Sequence, residues 1–187
     1  MIKRNKRPHK KVINLLTNRF DIPKRLVQTM EDTLPNKRAK KHLYKNLFVQ
    51  GKSGRGKTIF SIALLYYLLR NKAPATTSAA CFISMPELLL QLKQHYQDQN
   101  NNPGFEAEIM EKCKHTRYLI IDDLGVGKST DWTNEILYSI INHRYTHSTK
   151  GFFTIITTNL IIDELNERID LRIINRIVEM CALVLFK

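Results

Sequence analysis

Apolar residues along this chain fall into two alternating rhythms from residue 46 onward. Short unbroken apolar runs read as buried strands at 47–50, 79–84, 118–122, 152–157 and 182–186. Between them apolar residues recur three and four apart, the spacing of one buried helix face. A helix at 57–71 would bury Ile59, Ile62, Ala63, Leu65 and Tyr66. Pro86 opens the next helix at its first position, with Leu88, Leu89 and Leu92 as its stripe. Further helices are expected at 105–114 and at 131–145, the latter with Ile136, Leu137, Ile140 and Ile141 inward. Another starts at Glu164 behind an Asp163 cap and continues helically through 171–181. Five strands separated by helices specify an α/β fold, a parallel sheet with helices on both faces. Ligands of such sheets lie at the carboxyl ends of the strands.

The first 45 residues read differently. Val12, Leu15, Leu16 and Phe20, then Leu26, Val27, Met30 and Leu34, mark two short helices parted by Pro23. Pro35 and Asn36 form a turn, and 37–45 a basic helix or loop. Charge sharpens this division. Residues 1–45 hold 14 Lys/Arg against 3 acids, a net of +11, whereas 46–187 hold 16 against 14, a net of +2. A basic arm of this kind (Lys3, Arg4, Lys6, Arg7, Lys10 and Lys11, then Lys37, Arg38, Lys40 and Lys41) is either an electrostatic footprint for nucleic acid or a solvated face. Two domains follow: a basic N-terminal arm with short helices at 1–45, and the core at 46–187. No apolar run has the length of a membrane span, and the basic start lacks the apolar core of a signal peptide. Cys81, Cys113 and Cys181 are odd in number and far apart, which argues against a disulfide framework or zinc site and for reduced thiols in the cytoplasm.

The candidate chemistry sits where strands end. After the first strand, Gly51, Gly56, Lys57 and Thr58 fill every fixed position of G-x-x-x-x-G-K-[ST], with Ser53 and Gly54 between them. Glycines permit positive φ and close backbone approach, so N–H groups of the loop and the helix start, through Ile59, can point at phosphate oxygens. Lys57 supplies a compact charge for the β- and γ-phosphates, and the Thr58 hydroxyl can ligate Mg²⁺. This predicts an ATP or GTP site. Four apolar residues then deliver Asp122 and Asp123 at a strand end, as a Walker B strand requires. Asp122 would hold Mg²⁺ with Thr58, and Asp123 would orient or deprotonate the attacking water. Asn159, ending the fourth strand, is placed either to reach the γ-phosphate or the attacking water, or to cap a turn. Arg168, Arg172 and Arg176 recur every four residues and so share one helix face. They suit phosphate recognition, including in trans, or else surface pairing with Glu164, Glu167 and Glu179.

The runs DDLGVGKSTDWTNEILYSIINHRY (122–145) and TIITTNLIIDELNERIDLRIINRIVEMCALVLF (154–186) resemble the DnaC/DnaI-type helicase loaders and the related IstB-like ATPases, which are AAA+ proteins of replication and transposition. The resemblance covers 46–187. It implies a P-loop NTPase sheet in the order 5-1-4-3-2, Asn159 as sensor 1, and an arginine finger within LRIINRI. By spacing Arg176 is the better match for the finger and Arg172 its companion. It also implies an ATPase using ATP and Mg²⁺, DNA-stimulated, whose homo-oligomer carries ATP between subunits on single-stranded DNA. Loaders deliver a DnaB-type replicative helicase; the transposition relatives act with a transposase on duplex DNA. A cytoplasmic helicase loader with hydrolysis as a switch is therefore the expected function, and an IstB-like transposase regulator the alternative. Three departures stand out. Gly127 occupies a position where members carry glutamate, Asp123 replaces the usual glutamate and implies slow hydrolysis, and the last strand leaves no C-terminal helical lid.

Overall fold

The computed structural model describes residues 10–20, 22–34, 36–72, 79–97, 104–127, 130–148 and 151–187. Lys3, Arg4, Lys6 and Arg7 of the expected arm, and Pro35 of the expected turn, lie outside the described residues. The five strands are β1 (Leu47–Gly51), β2 (Ala80–Ser84), β3 (Tyr118–Asp122), β4 (Phe153–Thr158) and β5 (Ala182–Phe186). They form one parallel sheet in the order β2-β3-β4-β1-β5, the expected order counted from the other edge. β3 is buried at every position, as a strand covered on both faces should be. The register sets Ser84 beside Asp122, Gln50 beside Thr158 and Gly51 beside Phe186, so the polar strand tips gather at one end.

On one face lies α4 (Lys57–Lys72), and it departs from the expected single stripe. Every residue from 60 to 69 is buried, including Leu64, Tyr67, Leu68 and Leu69, whereas Ile59 is only partly so. The reason is a roof. The helices α1 (Lys10–Asn18), α2 (Lys24–Asp32) and α3 (Lys37–Lys40) pack on the outer side of α4. A helix enclosed by sheet and roof has to be apolar around its circumference. Val12, Leu16, Phe20, Val27 and Met30 of the roof share one core with Leu47, Val49 and Tyr66. Each such burial contributes about 1.5–3 kcal/mol, so the N-terminal helices are held by the core packing itself. Lys10 and Lys11 consequently start α1 and are not loose arm residues. Asn36 caps α3, its Oδ1 accepting the Ala39 N–H at 2.9 Å.

The other face carries α5 (Met85–Gln97), α6 (Phe105–His115), α7 (Asp131–Thr146), α8 (Ile162–Asn166) and α9 (Leu171–Met180). Their apolar sides meet Phe48, Leu119, Ile121 and Ile156 of the sheet in a second core. Helix starts shift slightly from expectation. Met85 precedes Pro86 in α5, still within the first turn, where a missing N–H costs nothing. α8 begins at Ile162, and Glu164, not Asp163, accepts the Ile161 N–H at 2.8 Å. The expected continuous helix onward from 164 is broken. Asp170 caps a fresh start by accepting the Arg172 N–H at 2.8 Å, so Arg168 lies in the turn between α8 and α9. It therefore does not share a helix face with Arg172 and Arg176.

One buried cation ties this face together. Arg144, on the inner side of α7, donates to the carbonyls of Cys113, Thr116 and Phe153 at 3.1, 2.8 and 2.9 Å, and to Thr154 Oγ1 at 2.6 Å. It thus satisfies carbonyl groups around the end of α6, and burial lowers its pKa to about 10. All three cysteines are free thiols. Among the described residues no helix is long and apolar enough to cross a membrane.

Candidate active site

The loop between β1 and α4 takes the shape its glycines permit. Gly54 and Gly56 adopt φ of +75° and +83°, which side chains disfavour. Gly51 is required for another reason. A Cβ there would stand 2.2 Å from the carbonyl oxygen of Phe186, so the close approach it allows is to β5. Ser53 and Gly54 are exposed at the crown of the loop. Ile59 packs its side chain against the core and leaves only its backbone N–H to the site.

Lys57 is buried at the start of α4 and folds back over the loop. Its Nζ donates to the Lys52 carbonyl at 2.9 Å and to Asn159 Oδ1 at 2.6 Å. Asn159 in turn donates through Nδ2 to Asp123 Oδ1 at 3.1 Å. The phosphate-loop lysine, the asparagine ending β4 and the second carboxylate are thus one hydrogen-bonded chain. Burial pulls the lysine's pKa below its ordinary value, against the opposing pull of Asp123 and Asp122. Asp123 has φ of +57°, a left-handed conformation that aspartate tolerates better than most residues, and there its carboxylate meets Asn159.

Asp122 is buried at the tip of β3. Thr58 Oγ1 stands 3.0 Å from both of its oxygens, and Thr157 Oγ1 donates to Oδ1 at 2.6 Å. Burial lifts the Asp122 pKa above the usual carboxylate value, outweighing the two threonine hydroxyls and Lys57, which pull it down. The Thr58 hydroxyl and the Asp122 carboxylate are neighbouring hard oxygen donors of the kind that would hold Mg²⁺, directly or through water. A divalent ion would also relieve the buried negative charge.

Thr157 and Thr158 carry more of this site than their sequence suggested. Thr157 Oγ1 also accepts the Asp123 N–H at 3.0 Å, and Thr158 Oγ1 donates to the Leu124 carbonyl at 2.8 Å. Between them they hold the turn after β3 in place. Gln50 Nε2 donates to the Leu160 carbonyl at 2.8 Å and joins the end of β1 to that of β4. Gly127 is exposed in the loop beyond, and Arg168 reaches that loop at the Gly125 carbonyl, 3.3 Å away.

Arg172 and Arg176 belong to a separate cluster on α9 facing α7. Arg172 pairs with Asp170 at 2.6 Å, and Arg176 donates to Asn142 Oδ1 at 2.8 Å. The structure therefore gathers Lys57, Thr58, Asp122, Asp123 and Asn159 at one end of the sheet, and the polar partners of both arginines lie elsewhere.

Sequence comparison shows the family to which the chain belongs. The family described as IstB-like ATP binding protein matches residues 4–185. The chain belongs to this family. Among relatives of the IstB-like chain, the replicative helicase loader DnaI of Bacillus subtilis (strain 168) is 29% identical over 122 residues, which cover 65% of this chain and 35% of DnaI. The phage-like element PBSX protein XkdC of the same organism is 28% identical over 137 residues, 71% of this chain and 46% of XkdC. The IstB-like chain thus spans between about a third and a half of these curated relatives. The crystal structure of the DnaC helicase loader superimposes with a TM-score of 0.61 at 26% identity, covering 87% of this chain and 89% of that one. The IstB-like chain is therefore an ATP-binding P-loop protein of AAA+ type, whose fold is that of the DnaC and DnaI structures.

Proposed function

We propose that the IstB-like chain is a DNA-replication ATPase, a helicase loader that assembles on single-stranded DNA and uses ATP hydrolysis as a release switch. The hydrogen-bonded chain Lys57–Asn159–Asp123 beside the Thr58–Asp122 pair carries the proposal. In it, Lys57 and the loop N–H groups bind the triphosphate, and Thr58 and Asp122 hold Mg²⁺. When bound, the ion neutralises charge on the β- and γ-phosphates. Asn159 is hydrogen-bonded both to the phosphate-binding lysine and to Asp123, so it can report the presence of the γ-phosphate to the carboxylate that orients water. Asp123 has one methylene fewer than glutamate and reaches less far, which suits slow hydrolysis. Arg172 and Arg176 bond to none of these residues, and that supports a site completed by a neighbouring copy.

DNA would meet the roof. Lys11, Arg19, Lys24, Arg25, Lys37 and Lys41 are exposed on α1–α3 and their flanks, and such a cationic face binds phosphates with affinity that falls steeply with salt. A cytoplasmic setting and a helicase partner follow from the likeness to the loaders. The family match favours a second reading, an IstB-like regulator acting with a transposase on duplex DNA. Affinity capture from the native host, with ATP turnover measured on single-stranded and duplex DNA, separates them. Helicase recovery and stimulation by single strands support the loader. Transposase recovery with duplex stimulation overturns it, as does absence of turnover on either DNA.

A further inference from the structure

Where the roof hands over to β1, the chain builds a row of aromatic rings. Tyr44, in the turn after α3, is exposed and meets Phe153 at the start of β4 edge-on, with ring centres 5.9 Å apart. Phe153 in turn stacks on Tyr118 at the start of β3, at 5.6 Å and 21°. Exposure falls along the row, from 39% for Tyr44 to 1% for Tyr118, so a ring presented to solvent stands on a buried footing. The footing is tied on both sides. Asn46, two residues after Tyr44, accepts the Thr154 N–H through Oδ1 at 2.8 Å and the Ala182 N–H through its carbonyl at 2.9 Å. The Phe153 N–H donates to the Arg117 carbonyl at 2.8 Å. Tyr44 itself has φ of +62°, a left-handed conformation rare for a bulky side chain.

Cations flank the row. Lys41 and Lys45 are exposed on either side of Tyr44 in the chain, and no acid occurs between Lys37 and Asn46. The Arg117 guanidinium lies 5.6 Å from the centre of the Tyr118 ring, and its buried Nε has no hydrogen-bond partner among the described residues. Glu111, on α6 just ahead of Arg117, is already paired with Lys114 and His115, at 3.6 and 3.1 Å.

Resting on the proposed DNA face of the roof, and narrowing it, we propose that Tyr44 is a stacking platform for an unpaired base of a single-stranded nucleic acid, with Lys41, Lys45 and Arg117 serving the phosphates beside it. An exposed ring among cations matches a strand that alternates flat bases with charged phosphates. A base inside a duplex is stacked on both faces and cannot lie on the ring, so the platform selects single strands where the cations alone do not. It stands at the amino ends of the strands, opposite the phosphate loop at the carboxyl end of β1, and a strand bound there leaves the nucleotide site open.

The test uses the full chain and two probes, an oligothymidylate and a duplex of the same length, each titrated over a range of salt. Tyr44→Leu keeps an apolar side chain against Phe153, and Tyr44→Gly suits the positive φ. Both are expected to weaken oligothymidylate binding by about 5- to 150-fold, the scale of one lost base stack, with duplex affinity unchanged as the control for folding. Tyr44→Phe should bind as wild type does. Tyr44→Trp should be quenched by oligothymidylate and not by duplex, beyond the response of Trp132 in the wild-type chain. Arg117→Ala should instead flatten the salt dependence on single strands by about 0.7, the share of one phosphate. Wild-type oligothymidylate binding by both Tyr44→Leu and Tyr44→Gly overturns the platform, as does an equal loss on duplex. Lys41→Ala separates this from the wider reading. If it weakens binding while the Tyr44 variants do not, DNA still meets the roof and the platform falls alone; a wild-type chain that binds neither probe removes both.

Discussion

The phosphate end of the sheet and the arginine face of α9 are built on opposite plans. At the phosphate end, functional groups bond to one another: Lys57 to Asn159, Asn159 to Asp123, Thr58 to Asp122. On the arginine face, the candidate groups bond to scaffold: Arg172 to Asp170, Arg176 to Asn142 and Tyr138. The first plan gives a site whose parts sense each other, so loss of one disturbs the rest. The second gives a presented group whose neighbours can be altered without touching nucleotide binding. Under the proposed function, the contrast would suit a site divided between two copies, with a coupled receiver on one surface and a held donor on the other.

The largest expected effect separates the two plans at once. Lys57→Ala removes the buried cation and should abolish measurable nucleotide binding, a loss of at least about 10³-fold in affinity by calorimetry or a fluorescent ATP analogue. No arginine-face variant should do this. Retained tight ATP binding in the Lys57 variant would break the comparison at its foundation.

Thr157→Val comes next. It preserves shape and β propensity while deleting the hydroxyl that bonds Asp122 at 2.6 Å and accepts the Asp123 N–H. Loss of a bond that favours the ionised carboxylate raises the Asp122 pKa further. The acidic limb of the turnover–pH profile should therefore move to higher pH, with kcat down about 10-fold on its plateau. An unshifted limb would show that the hydroxyl does not tune the carboxylate.

Asp122→Asn should do opposite things to stability and function. Burial lifts the folded pKa above the unfolded one, so the folded chain keeps this proton to higher pH than the unfolded chain does. Stability therefore falls as pH rises from the ordinary carboxylate range through the folded pKa, and the cost persists at neutral pH. Asparagine removes it. The nucleotide-free variant should melt about 2–4 °C higher than wild type at pH 7, for about 1 kcal/mol recovered, and lose that part of the pH dependence. It should also lose the added thermal protection that Mg²⁺ gives with ATP. A lower melting temperature in the nucleotide-free state would show that the Thr58 and Thr157 hydroxyls fully offset the buried charge.

Which parts could be foreseen follows from the range of the constraints. The phosphate loop and β3 are encoded locally, in glycines six residues or fewer from Lys57 and in a strand of four apolar residues ending in acid, whereas the sheet order was legible only through the family resemblance. What escaped was set by distant packing. The full burial of α4 depends on a roof of helices from the other end of the chain, though the breadth of its apolar run from Phe60 to Leu69 was the available sign. Arg144 falls on the inward stripe of Leu137, Ile140 and Ile141, yet a cation there reads as surface until its carbonyl partners are seen. Thr157 is an ordinary strand residue by propensity, and its role appears only where β4 lies against β3. The four-residue spacing of Arg168, Arg172 and Arg176 misled because periodicity cannot register a break. Asp170, a good cap residue just ahead of Leu171, was the signal of one.

The smallest expected effect tests whether scaffold-bound arginines act alike elsewhere. Arg38 was expected to contact DNA, but its guanidinium lies 3.8 Å from the centre of the Phe186 ring and donates to the Leu185 carbonyl. It closes the outer edge of β5, the strand that approaches Gly51, with a side chain from α3. Like Arg176 it is an anchor, although its side chain is exposed. Arg38→Ala should therefore lower unfolding free energy by about 1 kcal/mol in urea, from one lost hydrogen bond and one cation–π contact. The slope of DNA affinity against salt should shift less than for Lys41→Ala, where one lost phosphate contact lowers it by about 0.7 on single strands. An equal salt shift with unchanged stability would return Arg38 to the DNA face and leave β5 without its clasp.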